Sequence, residues 1–583
     1  MQSTHKSSYQ RAAIIGAILL ALLVILLLIW LLFRPAPPAS RVVNCPQSPR
    51  DAPQSAEGRF VDRQVIVIGA AQAITAVIAE LPEVVEPEPL ADCDLDYLGQ
   101  LPDVSQQVPA DLFQPDDLTT LNVRLYKIQS TATVTEAVAA INNASLAQNR
   151  RVYADPNYLT ISMANADACG NPNSVGGSPN SVGGSAGGAT GTPASAETFA
   201  NQWAFEHIGL GSPLQAYFTA TKVTYQGGGV RVGVFDTSPF TLTQAEISAS
   251  GATPEVEGNA IQRMVDWLPQ TYPALNLSVY SSTLPDIQRP AGVLADVNDH
   301  GLFVSGLIHA VAPSSDIHLF PVLDRYGCGD LYTLVTRLHR FISKVNADRG
   351  SLKGAVINLS LGVLQPRDTD VIAQPNTTQD LLQVQAQPGS LADQLAEAYA
   401  LLKTDDVQSL MLTLHIAQEQ GIVVVAAAGN DSWRDEYRTK PLAPQSPAAY
   451  PFVISVAGSN ANRQRSCFSN WGDVSAPAGD GAPGEVETAS GKIPTSCAAS
   501  FETPLISVAA DTPRFPLRYA KWNGTSFATP LVSGLAALVL DAEAQQGTRW
   551  VLPRYVAQAI KCGAAASDGV INVPITLVRC LRP

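Results

Sequence analysis

The chain has 583 residues, of which 46% are hydrophobic and 15% are charged, and its formal net charge is -14. This length exceeds one ordinary domain core, and the composition excludes a chain that is disordered throughout. The acidic balance, without any cluster of Lys and Arg, argues against a nucleic-acid partner.

The N-terminal region contains an uncharged apolar stretch at residues 12–33, which is long enough to cross a bilayer as a helix. The residues around Arg34 match a signal-peptide cleavage site poorly, so we predict a retained transmembrane signal anchor. Residues 1–11 are expected in the cytoplasm and the rest outside it, with secretion after signal cleavage as the alternative. Residues 34–59 are rich in Pro and Ala and are predicted to form a stalk.

A small α+β domain is predicted at residues 60–165, because two strand-and-helix units follow each other there. The strands are expected at 63–69, 121–128 and 151–154, and the helices at 70–81 and 133–147. Residues 166–198 contain a short sequence that is repeated at once, and this composition is typical of a flexible linker.

Residues 199–583 alternate apolar runs rich in Val, Ile and Ala with helical patterns. Strands are expected at 230–235, 317–322, 355–361, 422–427 and 453–457, and helices at 331–345 and 410–420. Strands that are apolar throughout are covered on both faces. The pattern therefore predicts an α/β fold with a doubly wound, mostly parallel sheet, whose functional site lies at the carboxyl ends of the strands.

Three separated residues supply the groups of a nucleophilic hydrolase. Asp236 ends a predicted strand, His300 precedes a helix pattern of small residues, and Ser526 opens a further helix. A serine hydroxyl is a weak nucleophile at neutral pH and needs a base, which a third group must hold in the correct tautomer. Each residue alone is more often structural, but their conjunction, with Asn430 between the base and the nucleophile, favours an active site.

The motifs around these residues are VGVFDTS, DHGLFVSG, VAAAGN and NGTSFATP. Their order of Asp, His and Ser resembles the subtilisin-like serine protease family, and the resemblance covers most of residues 200–545. It implies a serine endopeptidase that acts on polypeptides and needs no cofactor. Asp236, His300 and Ser526 would be its triad, and Asn430 would form the oxyanion hole with the Ser526 N–H.

The resemblance also implies how polypeptides are bound. One segment would pair with an extended substrate, and another would form a wall of the primary specificity pocket; these are Ser360, Leu361 and Gly362, and Ala427, Ala428 and Gly429. Residues 154–158 resemble the end of the family's inhibitory prodomain, which covers the cleft and is cleaved off. Residues 60–165 would then be an intramolecular inhibitor.

Several departures from the family pattern leave alternatives open. Ser238 replaces a usual glycine, and Leu302 and Phe303 replace a usual Thr-His pair. Insertions at 363–408 and 479–521 either reshape the cleft or lie exposed on the surface, and exposure is slightly favoured. A catalytically silent protein that binds peptides at the cell surface is the main rival. An ester hydrolase is disfavoured, because no Gly-x-Ser-x-Gly surrounds the nucleophile.

Metal binding and disulfides are less defined by the sequence. No complete calcium loop is present, and a structural calcium ion would have to use scattered carboxylates; the candidates are Asp296, Asp299, Asp324 and Asp330. The eight cysteines form disulfides or remain buried thiols. Our predicted pairs are Cys467 with Cys497 and Cys562 with Cys580.

Overall fold

The structure is a computed structural model, and the part of it that can be described covers most of the two predicted domains. It comprises residues 45, 60–95, 121–129, 131–148, 150, 152–162, 195–239, 277–280, 297–364, 407–432, 441–480, 485–488, 491–494, 503–510 and 517–581. The predicted anchor at 12–33, the stalk except Cys45, and most of the linker lie outside these residues. By its contacts, the chain from Val43 to Pro583 forms one compact unit.

The first part of this unit is a four-stranded antiparallel sheet with two helices. The sheet has the strand order β4-β1-β3-β2. The elements are β1 (Phe60–Ala70), α1 (Ala71–Ala79), β2 (Ala91–Asp94), β3 (Leu121–Lys127), α2 (Val134–Ala147) and β4 (Val152–Ser162). The predicted strands and helices are confirmed here, but β4 continues beyond its predicted end at residue 154, as far as Ser162.

Both faces of this sheet are buried. Successive side chains of β1 point to opposite faces, and each face packs in a separate apolar cluster. Val65 and Val67 pack with α1 and α2 in one apolar cluster. Ile66 and Ile68 lie on the other face, in a cluster formed mainly by residues of the following domain. The small sheet is therefore covered by its own helices on one side and by the larger domain on the other.

The larger domain is built on a seven-stranded parallel sheet with the order β13-β12-β11-β9-β5-β7-β6. Its strands and the neighbouring ones are β5 (Val230–Asp236), β6 (Leu277–Val279), β7 (Asp316–Pro321), β8 (Cys328–Asp330), β9 (Gly354–Leu359), β10 (Leu361–Val363), β11 (Ile422–Ala427), β12 (Ile454–Ser459), β13 (Val474–Pro477), β14 (Glu485–Thr488), β15 (Gly491–Pro494), β16 (Leu505–Ala510) and β17 (Leu517–Trp522). The strand order runs outward in both directions from β5 and β9. This confirms the predicted doubly wound sheet and places a cleft at the carboxyl ends of these strands.

Helices cover this sheet on both faces. They are α3 (Ala196–Ala200), α4 (Trp203–His207), α5 (Ser212–Thr221), α6 (His300–Val311), α7 (Leu331–Ala347), α8 (Gln408–Glu419), α9 (Thr525–Gln545), α10 (Pro553–Ala565) and α11 (Val573–Arg579). Among the described residues, α9 alone is long and apolar enough to span a membrane, and its apolar window is entirely buried inside the protein. We therefore interpret α9 as the central core helix of the domain.

Where the structure describes its burial, the insertion at 479–521 is not the exposed surface segment that the sequence slightly favoured. Its strands β16 and β17 form an antiparallel hairpin, in which Leu505 and Ser507 are fully buried. Ser507 Oγ donates a hydrogen bond to the carbonyl of Phe303 in α6, and the Gln202 side chain bonds both backbone groups of Ile506. The correction has a simple cause, because the apolar residues of this hairpin cover α6. Most of the other insertion, 363–408, lies outside the described residues.

Disulfides join positions that are far apart in the sequence. Cys45 bonds Cys93, and Cys562 bonds Cys580, which confirms the second predicted pair. Cys328 and Cys467 are also disulfide-bonded. Cys497, the predicted partner of Cys467, lies outside the described residues. In the described part of the chain no cysteine is a free thiol, and the alternative of buried thiols is wrong for these six residues.

Two buried histidines on α7 and α8 are expected to make the fold sensitive to acid. Burial lowers the pKa of His339 to about 3 and that of His415 to about 4, whereas both titrate near pH 6.5 in an unfolded chain. Below pH 6.5 the unfolded state therefore binds more protons. The free energy of unfolding should fall by about 1.4 kcal/mol per pH unit for each histidine until pH 4 is approached.

We expect the Tm to decrease between pH 7 and pH 5, and the decrease to be smaller in a His339→Gln/His415→Gln variant. Thermal unfolding followed by circular dichroism measures both. An equal pH dependence in the two proteins would show that other groups control acid stability.

Candidate active site

The side chains of Asp236 and His300 meet at the carboxyl end of β5. Asp236 is the last residue of β5, His300 is the first of α6, and both are fully buried. His300 Nδ1 lies 2.7 Å from Asp236 Oδ1, which also accepts a hydrogen bond from the Thr237 N–H at 2.6 Å. A carboxylate at Nδ1 favours the neutral tautomer whose lone pair is on Nε2. In the described part of the chain, His300 Nε2 has no hydrogen-bond partner, so it is available as a base.

The absence of a side chain at position 301 allows this close approach. A Cβ on Gly301 would overlap the Thr237 carbonyl oxygen and lie 2.9 Å from the Asp236 Cβ. Instead, the Gly301 N–H donates to Thr237 Oγ1 at 3.2 Å, and the Thr237 hydroxyl reaches the Val297 carbonyl oxygen at 3.0 Å. These bonds fix the start of α6 against the end of β5, and with it the histidine against the carboxylate.

Ser526 is the second residue of α9, and its hydroxyl lies beside Ser360. Ser526 Oγ donates to the Ser360 carbonyl oxygen at 3.1 Å, and Ser360 Oγ donates to the Ser526 carbonyl oxygen at 2.8 Å. That second carbonyl lacks its helical partner because Pro530, four residues later, has no N–H. The candidate nucleophile is thus fixed to the segment that is predicted to bind peptides.

The start of α9 also lies next to the histidine. The ring of Phe527, the residue after Ser526, has its centroid 5.1 Å from that of His300. Ser526 Oγ is directed to Ser360 in this structure, and its hydrogen bond to His300 Nε2 is not formed. Such bonds are often long or misaligned in the absence of substrate.

Asn430 approaches the same helix terminus from the end of β11. Its side-chain Oδ1 accepts a hydrogen bond from the Thr525 N–H at 3.0 Å. Its Nδ2 lies on the side of Gly524, 3.5 Å from the position that a Cβ on that glycine would take. The structure therefore places a side-chain amide beside the first backbone N–H groups of α9.

Three aromatic residues form a cluster at His300, and of these the sequence analysis noted only Phe303, as a departure from the family pattern. The Trp522 ring meets the imidazole edge to face at a centroid distance of 5.3 Å. Phe303 packs against Trp522 at 5.7 Å and against Phe527 at 4.7 Å, and all three are buried. Trp522 and Phe527 flank the Asn-Gly-Thr-Ser motif closely, and this position was the signal that could have identified them.

One of the two predicted substrate-binding segments, that of Leu361 and Gly362, pairs with the end of β4. Leu361 pairs with Ser162 and Gly362 with Ile161, in antiparallel register. On its other edge β4 pairs with β8, where Ile161 lies opposite Cys328. The C-terminal part of β4 is thus the central strand of a three-stranded arrangement, between the two edges of the cleft.

The other predicted wall of the cleft lies after β11. Ala427 ends that strand, the Ala428 carbonyl oxygen accepts a hydrogen bond from the Gln445 N–H at 2.9 Å, and Gly429 has a φ of 110°. A Cβ on Gly429 would lie 3.1 Å from the Gln445 Cγ. Ser360 bonds Ser526, and Asn430, the residue after Gly429, bonds Thr525, so both predicted substrate-binding segments adjoin the start of α9.

The small domain also contacts two helices of the larger domain through alternate residues of β4. Asp155 is fully buried, and its carboxylate accepts hydrogen bonds from the Gln408 N–H at 3.2 Å and the Ser409 N–H at 2.8 Å, at the start of α8. Asn157 Oδ1 accepts one from the Tyr332 N–H at 3.1 Å, in the first turn of α7. Burial raises the pKa of Asp155, although the two N–H donors oppose this. β4 thus provides caps for two helix N-termini.

A metal site is not evident at the predicted aspartates. Within the described ranges no group of three or more His, Cys, Asp or Glu residues converges as ligands. Asp330 caps α7 through Thr333, and Asp324 accepts hydrogen bonds from the backbone of Tyr326 and Cys328. Asp296 lies outside the described residues.

Comparison of the sequence with known proteins identifies the family of this chain. Residues 227–569 match the subtilase family, Peptidase_S8, which is more than half of the chain. The chain belongs to the subtilase family. Subtilisin from Bacillus pumilus is 27% identical over 350 residues, which is 58% of this chain and 97% of that protein. Subtilisin E from Bacillus subtilis (strain 168) has the same identity and is covered over 70% of its length.

Among solved structures, fervidolysin from Fervidobacterium pennivorans, described as a keratinolytic enzyme related to subtilisin, gives a TM-score of 0.47 at 15% identity. The match covers 92% of this chain and 65% of that one. Membership of the subtilase family identifies the chain as a serine peptidase with a subtilisin-like fold and a parallel sheet. The Phe303 that departs from the family pattern has a local role, because its ring supports Trp522.

Proposed function

We propose that this subtilase is a serine endopeptidase made as a membrane-anchored zymogen. Ser526 is the nucleophile, His300 the general acid and base, and Asp236 the residue that orients the imidazole. The observation that carries the proposal is the buried 2.7 Å contact between Asp236 Oδ1 and His300 Nδ1. It directs Nε2, which has no hydrogen-bond partner among the described residues, away from the carboxylate. The ring lies next to the first turn of α9, whose second residue is Ser526.

The reaction follows from these positions. A rotation about the Ser526 side chain would exchange its hydrogen bond to Ser360 for one to His300 Nε2, which removes the hydroxyl proton during attack on a peptide carbonyl. The negative charge on the tetrahedral oxygen would be stabilised by Asn430 Nδ2 and the Ser526 N–H. His300 then gives its proton to the departing amine. In the second half of the reaction His300 takes a proton from the attacking water and returns it to Ser526 Oγ as the acyl-enzyme is hydrolysed.

Replacing Asn430 with Leu is expected to lower kcat by 10²–10³-fold, a magnitude known from a subtilisin, with little change in KM. The amide would donate to the oxyanion only in the transition state, so its loss should leave substrate binding nearly intact. Steady-state hydrolysis of a chromogenic peptide measures both constants. A variant with raised KM and unchanged kcat would place Asn430 in substrate binding instead.

The proposed inhibitor is the domain at 60–165. Its β4 pairs with β8 and β10 in the way an extended peptide adds to the edges of a sheet. The Asp155 and Asn157 caps attach the same strand to α8 and α7. Since Ser162 pairs with Leu361, the residue after Ser360, the chain leaves β4 close to Ser526. Self-cleavage is expected within the first few residues after Ser162.

The remaining divisions follow the sequence. We propose that residues 12–33 anchor the protein as a single transmembrane helix, with 1–11 in the cytoplasm, and that 34–59 form the stalk, 166–198 the linker and 199–583 the catalytic domain outside the cytoplasm. The Cys45–Cys93 disulfide links the proposed stalk to the proposed inhibitor. An extracytoplasmic location is consistent with such bonds.

The test uses the full-length protein in detergent, as wild type, as Ser526→Ala, and as Ser212→Ala, which removes an exposed hydroxyl at the start of α5. We expect a fluorophosphonate probe to label the wild type and the Ser212 variant but not the Ser526 variant. Intact mass should show cleavage soon after Ser162 in the first two proteins only. A folded wild type that stays unlabelled and uncleaved would indicate a silent peptide-binding protein.

A further inference from the structure

The loop after β11 carries Asn430, and one residue of a neighbouring loop binds the chain just before it. That residue is Asn470, which lies between β12 and β13 and is fully buried. Its backbone N–H donates to the Gly429 carbonyl oxygen at 2.9 Å, and its side-chain Nδ2 donates to the Ala428 carbonyl oxygen at 3.2 Å. These two bonds fix the residues that precede Asn430.

The same side chain also binds the residues that follow Asn430. Asn470 Oδ1 accepts hydrogen bonds from the Asp431 N–H at 3.0 Å and from Ser432 Oγ at 2.9 Å. Its Nδ2 donates a second bond, to the Asp431 carboxylate at 3.0 Å. A side-chain amide has two lone pairs and two N–H donors. All four are used here, so the amide of Asn470 is satisfied in this orientation and would not be if it were flipped.

Gly429 allows the amide of Asn470 to come this close. Its φ of 110° lies in the left-handed region, and a Cβ at this position would overlap Asn470 Nδ2. Ser469 connects Asn470 to the central sheet, because its Oγ accepts a hydrogen bond from the Gly458 N–H of β12 and donates one to the Asn470 carbonyl oxygen, both at 2.8 Å. The loop of Asn430 is thus attached to β12 as well as to β11.

We propose that Asn470 is a positioning residue for Asn430, the proposed oxyanion donor. Such a donor lowers the barrier only if it is in place before the negative charge develops. Asn430 Oδ1 is bonded to the Thr525 N–H at the start of α9, and Asn470 holds the backbone on both sides of Asn430 in the position from which that bond is made. This role rests on the proposed function and adds to it a residue that acts through Asn430 without touching the substrate.

Replacing Asn470 with alanine is expected to lower kcat by about 10- to 100-fold, because displacing a catalytic group by about 1 Å has this order of effect. KM should change less than about threefold, since the donor acts in the transition state. Hydrolysis of a chromogenic peptide by the full-length protein after processing measures both constants. Variants that process slowly are first treated with immobilised wild-type protein, which is then removed.

Asn201→Ala is the matched control, because Asn201 is exposed at the end of α3 and lies outside the proposed site. It should keep the wild-type kcat. A folded Asn470→Ala variant that also keeps the wild-type kcat would overturn the proposal.

A second measurement compares Asn470→Ala in two backgrounds. In the Asn430→Leu variant the amide that Asn470 positions is absent, so the same substitution should change kcat there by less than about twofold. A contribution of Asn470 to the fold or to the specificity pocket alone would instead lower kcat by the same factor in both backgrounds. Equal losses in the two backgrounds would therefore refute the positioning role.

Asn470→Asp keeps the size of the side chain and provides the test if the alanine variant does not fold. One of its oxygens still accepts from the Asp431 N–H and Ser432 Oγ, whereas the other cannot donate to Ala428 and faces the Asp431 carboxylate. We expect kcat to fall by about 10-fold or more, and this loss should again disappear in the Asn430→Leu background. A loss that persists there counts against the proposal.

Fluorophosphonate labelling separates this proposal from the function on which it rests. Variants that are labelled to completion, but whose kcat values do not follow this pattern, overturn the role of Asn470 alone. If Asn430→Leu keeps the wild-type kcat, the oxyanion role of Asn430 fails and that of Asn470 fails with it, while a labelled and active wild type still supports a serine peptidase. A folded wild type that is neither labelled nor active overturns both.

Discussion

Replacing Ser526 with alanine is expected to lower kcat by about 10⁶-fold, the magnitude found for a subtilisin. His300→Ala should cost about as much, because without either group no alkoxide-like oxygen forms. The double variant should be no slower than either single one, since the two residues act as a unit. Hydrolysis of a chromogenic peptide under single-turnover and steady-state conditions measures these rates.

The control is Ser212→Ala, which should retain full activity because Ser212 is exposed and distant in sequence from the proposed triad. Losses that multiply in the double variant would mean that Ser526 and His300 act independently. That result would contradict a mechanism in which the histidine takes the serine proton.

Replacing Asp236 with Asn is expected to lower kcat by about 10⁴-fold at neutral pH. The asparagine amide would donate to His300 Nδ1 at the position where the carboxylate now accepts at 2.7 Å. The imidazole proton would then move to Nε2, which could no longer accept the proton of Ser526. The buried site offers no solvent to correct this tautomer.

Asp568→Asn provides a matched control, because Asp568 is exposed and asparagine tolerates its positive φ of 56° equally well. Binding of a peptide inhibitor should be similar in all three proteins, as the cleft edges are unchanged. A variant at Asp236 with near wild-type kcat would show that another group orients the histidine.

The parallel sheet could be predicted because its strands are apolar on both faces. The runs at 230–235 and 422–427 carry Val, Ile and Ala without polar alternation, and they became β5 and β11 almost to the residue. β4 was predicted to end at residue 154, but it continues through the polar residues Asp155 and Asn157. Those polar residues are buried there only because they bond helix termini of the other domain, and such partners are invisible in a local pattern.

The candidate site was predicted from motifs, whereas its surroundings depend on long-range packing. Asp236 and His300 were expected to meet, and they do. Trp522 was not expected beside His300, because it directly follows the insertion at 479–521, for which exposure was favoured. Its burial arises from the β16–β17 hairpin packing on α6, a contact between segments about two hundred residues apart in the chain.

The caps that Asp155 and Asn157 provide have a consequence for the life of the enzyme. After cleavage beyond Ser162 both residues belong to a separate chain. Once that chain dissociates, the N–H groups of Tyr332, Gln408 and Ser409 must be satisfied by water. The catalytic domain would then remain folded, although it has lost contacts with residues 60–165 that support its folding. Heat inactivation should become irreversible at this stage, and refolding should recover only when residues 60–165 are added back as a template.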